Sequence, residues 1–425
     1  MSGLRLIVVD PGHFHAALVQ KEMYPQLLPE VHVYAPLGPD LLDYLARIAR
    51  FNARAEQPTD WRLEVHAGSD FLDQMRREPP GGIAIFSGRN RGKIERIAAA
   101  IESGLHVIAD KPVIIRREDL PRLEAILNAA AAKRLVVADL MTGRDEAIAR
   151  LIRALRADPE IFGEAVPGSP EEPGVVLSNV HQLLKTVAGV PNPRPSWYFD
   201  ITEQGEGLAD TGTHLVDRMH ETLFPGEALD YRRDIRLDSA SRWPTTVSLA
   251  QFRQLTGEAR WPDFLAPSVK RDALDYFCNG RLDYRVRGIH VRLEARWEWQ
   301  TEAGDDTHIA VYRGSRARLE RRQGAAEGFR PELYIIPETE IRSALERRIA
   351  ALQPEFSGIR LDRQAGGWRL VVPDALRIGH DAHFAEFTRR FIRYVGTPGS
   401  FPVRETPNLL AKYFVTTGGV ALSHH

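Results

Sequence analysis

Short apolar runs alternate with helix-like segments over the first 140 residues, and this alternation constrains the fold most strongly. The runs are rich in Val, Ile and Leu, which is typical of strands buried on both faces of a sheet. Strands are predicted over residues 4–9, 31–35, 63–66, 83–86, 105–109 and 135–139, and helices over about 40–54, 90–103 and 120–133. Strands that alternate with helices form a parallel, doubly wound sheet. The pattern therefore predicts an α/β fold with a Rossmann-like domain, assigned to residues 1–158.

The remainder of the chain has a different periodicity, with apolar and polar residues in alternation. This is the pattern of antiparallel strands with one covered face. Strands are predicted over residues 175–184, 232–238, 245–254, 282–287, 288–300 and 307–313. We expect residues 159–425 to form an α+β domain with a mainly antiparallel sheet.

Composition excludes several classes of partner. The formal net charge of the 425 residues is −1, which argues against nucleic acid or an anionic membrane surface. No apolar run is long enough to span a bilayer, and the first ten residues do not resemble a signal peptide. The single cysteine, Cys278, fits a reducing compartment. A cytoplasmic protein is therefore expected.

The strand over residues 105–109 is followed by Asp110, Lys111 and Pro112. Ligands of open α/β sheets bind just outside the carboxyl ends of the strands, so Lys111 is a candidate for chemistry. Taken alone, an Asp-Lys-Pro segment favours an ordinary surface lysine in a strand-to-helix turn.

The loop after the first strand departs from the usual phosphate-binding pattern. A dinucleotide loop uses three glycines, and the corresponding positions here are Asp10, Gly12 and His15, so that only the middle glycine is present. We expect Gly12, His13, Phe14 and His15 to contact a cofactor or substrate. Their spacing is no metal-site signature, and no metal is predicted. Neither an acid nor an arginine lies directly at the end of the second strand, so NAD and NADP both stay open.

Two further segments carry polar residues at helix starts. Ser87 precedes a predicted helix, and Asn90 lies at its start, where it can cap exposed amides. Asp210, His214 and Asp217 have the i, i+4, i+7 spacing of one helix face. A carboxylate one turn from an imidazole can orient it and raise its basicity. A capped surface helix would show the same spacing.

Together these segments resemble the Gfo/Idh/MocA oxidoreductase family. The family's Gly-x-His-Val followed by Glu-Lys-Pro is similar to residues 104–107 and 110–112, with Asp110 in place of Glu. Asn90 matches the family's Thr-Pro-Asn segment, in which Lys93 replaces a histidine. The family's Asp-x-Gly-x-His-x-x-Asp is similar to residues 210–217, and Trp197 begins a segment that also resembles family members.

The resemblance implies a hydride transfer between NAD or NADP and a sugar, polyol or related hydroxylated compound. It implies that His214 is the base, that Lys111 donates to the substrate oxygen and that Asp210 orients His214. Cofactor contacts would come from Gly12, His13, Phe14, His15, Ser87, Asn90, Asp110 and Lys111, and substrate contacts from Lys185 and Trp197. It also implies a homodimer or homotetramer formed through an open-faced C-terminal sheet.

Two alternatives remain from the sequence. Some members of that family hold the nucleotide tightly and use it transiently in elimination or glycosidic cleavage. A non-catalytic sensor of a sugar or nucleotide is the other alternative, and the glycine-poor first loop favours it.

Overall fold

The computed structural model describes residues 3–187, 190–191, 193–300 and 305–425. Its strands are β1 (Leu4–Val9), β2 (Leu27–Ala35), β3 (Arg62–Ala67), β4 (Ile83–Phe86), β5 (His106–Ala109), β6 (Val137–Asp139), β7 (Val175–Gln182), β8 (Thr186–Val187), β9 (Val190–Pro191), β10 (Ile235–Ser248), β11 (Val269–Lys270), β12 (Ala273–Val286), β13 (Ile289–Glu298), β14 (Thr307–Arg313), β15 (Ala317–Gln323), β16 (Glu332–Pro337), β17 (Arg360–Gln364) and β18 (Gly367–Val371). Its helices are α1 (His15–Leu18), α2 (Pro39–Ala53), α3 (Phe71–Met75), α4 (Lys93–Glu102), α5 (Leu120–Ala132), α6 (Ala147–Arg156), α7 (Ile201–Gln204), α8 (Gly212–Leu223), α9 (Tyr231–Asp234), α10 (Leu249–Thr256), α11 (Arg342–Leu352), α12 (His380–Gly396) and α13 (Glu405–Leu422).

The chain forms two compact units, each assembled from several segments. The first contains Met1–Thr142, Trp197–Gly205 and His380–Tyr413, and the second contains Gly143–Ser196, Glu206–Gly379 and Phe414–His425. The domain boundary placed after residue 158 stays a prediction.

The first unit is built on a six-stranded parallel sheet with the order β3-β2-β1-β4-β5-β6. The strands β4 and β5 are buried along their whole length, as the short apolar runs predict. One face of the sheet packs against apolar side chains of α1, α2 and α12, among them Ala16, Leu41 and Phe384. The predicted Rossmann-like arrangement is confirmed.

The second unit is built on a mixed sheet with the order β10-β12-β13-β7-β14-β15-β16-β18-β17, and β11 pairs with β12. Neighbouring strands are antiparallel except β13 and β7, which are parallel. Residues of β13 alternate between buried and half-buried, as predicted for a sheet with one covered face. The predicted fold class is therefore confirmed for this unit as well.

One predicted strand of the second unit is wrong. The pattern of residues 245–254 predicts an extended segment, but β10 ends at Ser248 and α10 begins at Leu249. The Ser248 side chain accepts a hydrogen bond from the Gln251 amide while the Gln251 side chain accepts one from the Ser248 amide. This reciprocal cap satisfies two amides at the helix start and ends the strand. None of the helices in the described ranges is long and apolar enough to cross a membrane.

Candidate active site

Three parallel strands of the first unit end side by side. Val9 pairs with Phe86, and Phe86 pairs with Ala109, so β1, β4 and β5 stop at the same level of the sheet. The next residues along the chain include Ser87 and Asp110. Because ligands of this fold bind outside the carboxyl ends of the strands, this edge is the candidate site.

Asp110 is the centre of a hydrogen-bond network at this edge. Its Oδ2 lies 2.8 Å from His13 Nδ1 and 2.9 Å from Ser87 Oγ, and both of its oxygens lie 3.1 Å from His15 Nδ1. An ionised carboxylate only accepts hydrogen bonds, so both rings donate through Nδ1–H. The first loop and β5 are therefore joined through one buried carboxylate.

Burial and charge set the protonation states in this network. Burial acts to raise the pKa of Asp110, but the charge of His15 and the hydrogen bonds from both histidines hold it well below its usual value. Burial lowers the pKa of His15 to about 4, although Asp110 opposes that shift. At neutral pH we therefore assign an ionised Asp110 and a neutral His15 that donates to it.

The first loop is closed by hydrogen bonds of its own. The amides of Gly12 and His13 both donate to the Ser87 carbonyl, each at 3.0 Å. A Cβ at Gly88 would lie 2.1 Å from the Asp10 carbonyl oxygen, so only glycine permits this close approach. The loop is thus held against the residues after β4. Gly88 is not among the residues predicted from the sequence, although a glycine after a buried strand is a signal of close backbone contact.

Lys93 stabilises the turn that contains Lys111. Its Nζ is buried and donates to Asn90 Oδ1 at 2.5 Å, to the Asp110 carbonyl at 2.9 Å and to the Pro112 carbonyl at 3.1 Å. The two carbonyls flank Lys111, whose peptide bond to Pro112 is cis and whose side chain is half-buried. The lysine that departs from the family pattern therefore fixes the backbone on both sides of Lys111.

Asn90 does not cap α4, and this prediction is wrong. Gly92 is the N-cap residue and has a φ of 67°. The Asn90 side chain instead accepts a hydrogen bond from Lys93 and donates one to the Gln204 carbonyl at 2.7 Å. The backbone amide of Asn90 donates to the Glu203 carbonyl. Asn90 therefore joins the start of α4 to the segment that contains Gln204.

Trp197 lies near the same loop of the first unit. Its ring is buried, and its Nε1 donates to Asp40 Oδ2 at 2.9 Å. A Cβ placed on Gly12 would lie 3.2 Å from Asp40 Oδ2 and 3.3 Å from the Trp197 ring. An acid thus follows β2 after all, at the start of α2. Asp40 was missed in the sequence because an acid was expected directly after the strand.

The second unit positions Asp210 and His214 at the start of α8. Asp210 was predicted to lie on the helix, and this prediction is wrong: Asp210 is buried in the turn that precedes α8. A Cβ at Gly207 would lie 2.1 Å from the Cys278 carbonyl oxygen, so glycine lets this turn pack on β12. His214 lies in the first turn of α8 and is half-buried.

The third residue of that motif, Asp217, takes part in an ion pair. Its two oxygens accept from Arg144 at 2.6 and 2.8 Å, a fork geometry that fixes α8 against the segment that precedes α6.

Lys185 belongs to a second cluster within this unit. Its Nζ lies 2.6 Å from Asp306 Oδ2, which also accepts from His181 Nδ1 at 2.7 Å. Burial acts to raise the pKa of Asp306, but His181 and Lys185 hold it below its usual value. The His181 ring lies 4.9 Å from Trp297, and Trp297 Nε1 donates to Thr211 Oγ1 at 2.8 Å. Contacts thus run continuously from Lys185 to the turn before His214.

Comparison with known proteins gives one family and several structures of the same fold. Residues 151–424 match the family described as "Putative oxidoreductase C terminal domain". No curated protein matches the sequence significantly. The crystal structure of a "putative oxidoreductase" from Parabacteroides merdae ATCC 43184 is 40% identical, with a TM-score of 0.96 over 100% of this chain and 98% of that chain.

Two more distant structures show the fold alone. A "putative oxidoreductase" from Thermotoga maritima is 13% identical, with a TM-score of 0.60 over 98% of each chain. KijD10, a 3-ketoreductase from Actinomadura kijaniata solved with NADP and TDP-benzene, is 15% identical. Its TM-score is 0.58 over 99% of this chain and 97% of that chain.

Proposed function

This chain belongs to the oxidoreductase family whose C-terminal domain matches residues 151–424, and on that premise we propose that it is an NAD(P)-dependent enzyme of the Gfo/Idh/MocA type. The proposed reaction moves a hydride between the nicotinamide ring and a carbinol carbon. The substrate class is a sugar, a polyol or a related hydroxylated small molecule. The nucleotide supplies or accepts the hydride when it is bound.

The observation that carries this proposal is the turn of residues 110–112 at the carboxyl end of β5. Lys93 holds the carbonyls on both sides of Lys111, and the strand lies within a parallel sheet of the dinucleotide-binding type. A half-buried lysine on a fixed backbone is suited to hold its ammonium group in one position relative to a substrate. The fold shared with KijD10, which was solved with NADP, supports a nicotinamide cofactor.

We assign the chemical steps to three residues. When the alcohol is oxidised, its proton passes to His214. Lys111 donates a hydrogen bond to the substrate oxygen and stabilises negative charge that develops there. Asp210 orients His214 and favours its protonated form.

The remaining residues are proposed to bind rather than to react. Cofactor contacts are assigned to Gly12, His13, Phe14, His15, Ser87, Asn90 and Lys111, and substrate contacts to Lys185 and Trp197. The carboxylate of Asp110 already accepts hydrogen bonds from His13, His15 and Ser87. Its contribution to the cofactor site is therefore to orient these neighbours. We further propose a homodimer or homotetramer formed through the sheet of the second unit.

One observation favours a second candidate, a binding protein without catalysis. The amides of Gly12 and His13 are occupied by the Ser87 carbonyl, whereas a dinucleotide loop offers amides to the pyrophosphate. A nucleotide must therefore be held by other groups of this loop or not at all.

The first experiment asks which nucleotide the protein holds. Freshly purified protein is denatured, released NAD(H) or NADP(H) is identified by mass spectrometry, and both are titrated into the emptied protein. We expect one nucleotide to be released or to bind. If neither binds at about 1 mM, the upper end of ordinary KM values, the redox proposal fails.

Two substitutions then test the assigned roles in a screen of sugars and polyols. Lys111→Ala and His214→Ala should each lower kcat about a hundredfold or more, because each removes a group that acts in the transition state. Lys270→Ala and His290→Ala are matched controls outside the site and should keep wild-type turnover. A variant at Lys111 or His214 with near-wild-type kcat would remove that residue from the mechanism.

A further inference from the structure

A second polar cluster lies in the first unit, on one face of the outer strands β2 and β3. His32 pairs with Glu64, and Tyr34 pairs with His66, so that these four side chains point to the same side of the sheet. One ligand atom from each of His32, Glu64 and His66 lies within 4.8 Å of the other two. Two imidazoles and a carboxylate are thus brought together by strand register alone.

The distances in this cluster are long for hydrogen bonds. His32 Nε2 lies 3.5 Å from one oxygen of Glu64, and His66 Nε2 lies 3.4 Å from the other. Ligand atoms at about 2.0–2.2 Å from a tetrahedral Zn²⁺ are separated by roughly 3.4 Å. Both histidine-to-carboxylate distances therefore match the separation of two ligand atoms around a tetrahedral ion.

The histidines around Asp110 differ in this respect. Their Nδ1 atoms lie 2.8 and 3.1 Å from the carboxylate, which are ordinary hydrogen-bond lengths, and Ser87 donates to the same carboxylate. That network is complete without an ion.

An outer carboxylate orients His32. Its Nδ1 donates to the buried Glu78 Oε1 at 2.5 Å, and the Tyr34 hydroxyl donates to the same oxygen at 2.7 Å. With its proton on Nδ1, the ring presents the Nε2 lone pair toward Glu64. Metal-binding histidines are oriented in this way by a carboxylate that is not itself a ligand.

His66 is held by stacking. Its ring is parallel to that of Tyr34, with centroids 4.5 Å apart and an interplanar angle of 9°. Its Nε2 is buried and has no hydrogen-bond partner among the described residues. A buried ring nitrogen directed toward a carboxylate, without a hydrogen bond, is the second observation that points to a ligand.

We propose that His32 Nε2, His66 Nε2 and the Glu64 carboxylate bind a divalent transition metal, with Zn²⁺ as the ion of choice. Imidazole ligands favour Zn²⁺ over Mg²⁺ or Ca²⁺, which prefer oxygen. Three protein ligands leave one coordination position for water. The ion ties the edge strand β3 to β2, and this inference does not depend on the proposed function.

The test is a Zn²⁺ titration of tag-free, chelator-treated protein by calorimetry, with Zn²⁺ content measured after dialysis. We expect about one equivalent to bind and the thermal unfolding midpoint to rise, because the ion binds only the folded chain. His66→Gln should abolish this binding. Glu78→Gln, which keeps an acceptor for His32, should weaken it by about 10- to 100-fold.

Glu64→Gln and Glu30→Gln form a matched pair. Both glutamates lie on the same face of these two strands, and their side chains are 63% and 64% exposed. Glu64→Gln should weaken Zn²⁺ binding at least about tenfold, whereas Glu30→Gln should leave it unchanged. Co²⁺ in the wild-type protein should show the intense visible bands of tetrahedral coordination, and His66→Gln should lose them.

Three results would overturn the proposal. Wild-type protein that binds no Zn²⁺ would exclude the site. Wild-type affinity in both Glu64→Gln and His66→Gln would place the ion elsewhere. Loss of the bound ion in His13→Gln/His15→Gln, with His66→Gln unaffected, would assign it to the network around Asp110.

Discussion

Burial sets the protonation state of His15, the second histidine after β1. His15 is neutral at neutral pH because burial lowers its pKa to about 4, below the 6.5 of an exposed histidine. The unfolded chain therefore binds a proton between these pH values that the folded chain does not. The contribution of His15 to stability is complete above pH 6.5 and is lost as the pH falls toward 4.

The lowered pKa predicts a pH-dependent effect of His15→Gln, in which the amide still donates to Asp110. The wild-type free energy of unfolding should fall between pH 6.5 and 4 more steeply than that of the variant, by at most about 3 kcal/mol. Urea unfolding at several pH values measures the difference. His290→Gln, outside this network, is the control and should follow the wild type. Parallel profiles for wild type and His15→Gln would show that His15 titrates normally.

The sequence predicts residue types at the site better than their contacts. Lys111 follows β5 as expected, because an apolar run that ends in charged residues marks a strand end. In the sequence, Lys93 stands where the family has a histidine. In the structure, its buried ammonium group donates hydrogen bonds to the carbonyls of Asp110 and Pro112. Asn90 is a residue type that often caps helices, but its side chain accepts a hydrogen bond from Lys93 and donates one to the Gln204 carbonyl instead. Such contacts depend on the tertiary fold, so local patterns do not reveal them.

Individual helices and strands were predictable where their periodicity was strong. The short buried strands of the first sheet match the predicted ranges closely. Residues 245–254 alternate like a strand, but the reciprocal cap between Ser248 and Gln251 begins a helix there. No helix was predicted over α13, in which Pro407, Gly418 and Gly419 weaken the helical pattern. Its position depends on tertiary contacts.

Helix α13 contacts the first sheet through a buried ion pair. Lys412 Nζ lies 2.8 Å from Asp139 at the end of β6, the Tyr413 hydroxyl donates to the same carboxylate at 2.9 Å, and the Lys412 side chain is 1% exposed. Lys412→Met should lower the free energy of unfolding by about 3–5 kcal/mol, because it leaves a buried carboxylate without its cation. Denaturant unfolding followed by circular dichroism measures this loss.

The double variant Lys412→Met/Asp139→Asn is the informative control. It removes both charges while the new side-chain amide still offers an oxygen that accepts from Tyr413, so it should recover part of the stability lost in Lys412→Met. A double variant no more stable than Lys412→Met would show that the unpaired charge of Asp139 is not what destabilises the single variant.

The less buried face of the second sheet is charged rather than apolar. Along β13 the buried residues are apolar, and the half-buried ones between them are mostly charged. Arg292 lies 2.6 Å from Asp283 on β12, and Arg296 lies 2.8 Å from Glu298. A subunit interface on such a face would be held by polar and ionic contacts, which salt screens.

The proposed oligomer therefore should depend on ionic strength. We expect sedimentation velocity to show a dimer or tetramer at low salt, with an association constant that falls about tenfold or more as the salt concentration rises toward 1 M, where the Debye length is about 3 Å. Arg292→Glu places a like charge against Asp283 and should weaken association at low salt. Arg62→Glu, on β3 of the other sheet, is the charge-matched control and should assemble like the wild type. A wild-type chain that stays monomeric at every salt concentration would contradict assembly through this face, and equal dissociation of both variants would point to net charge instead of this sheet.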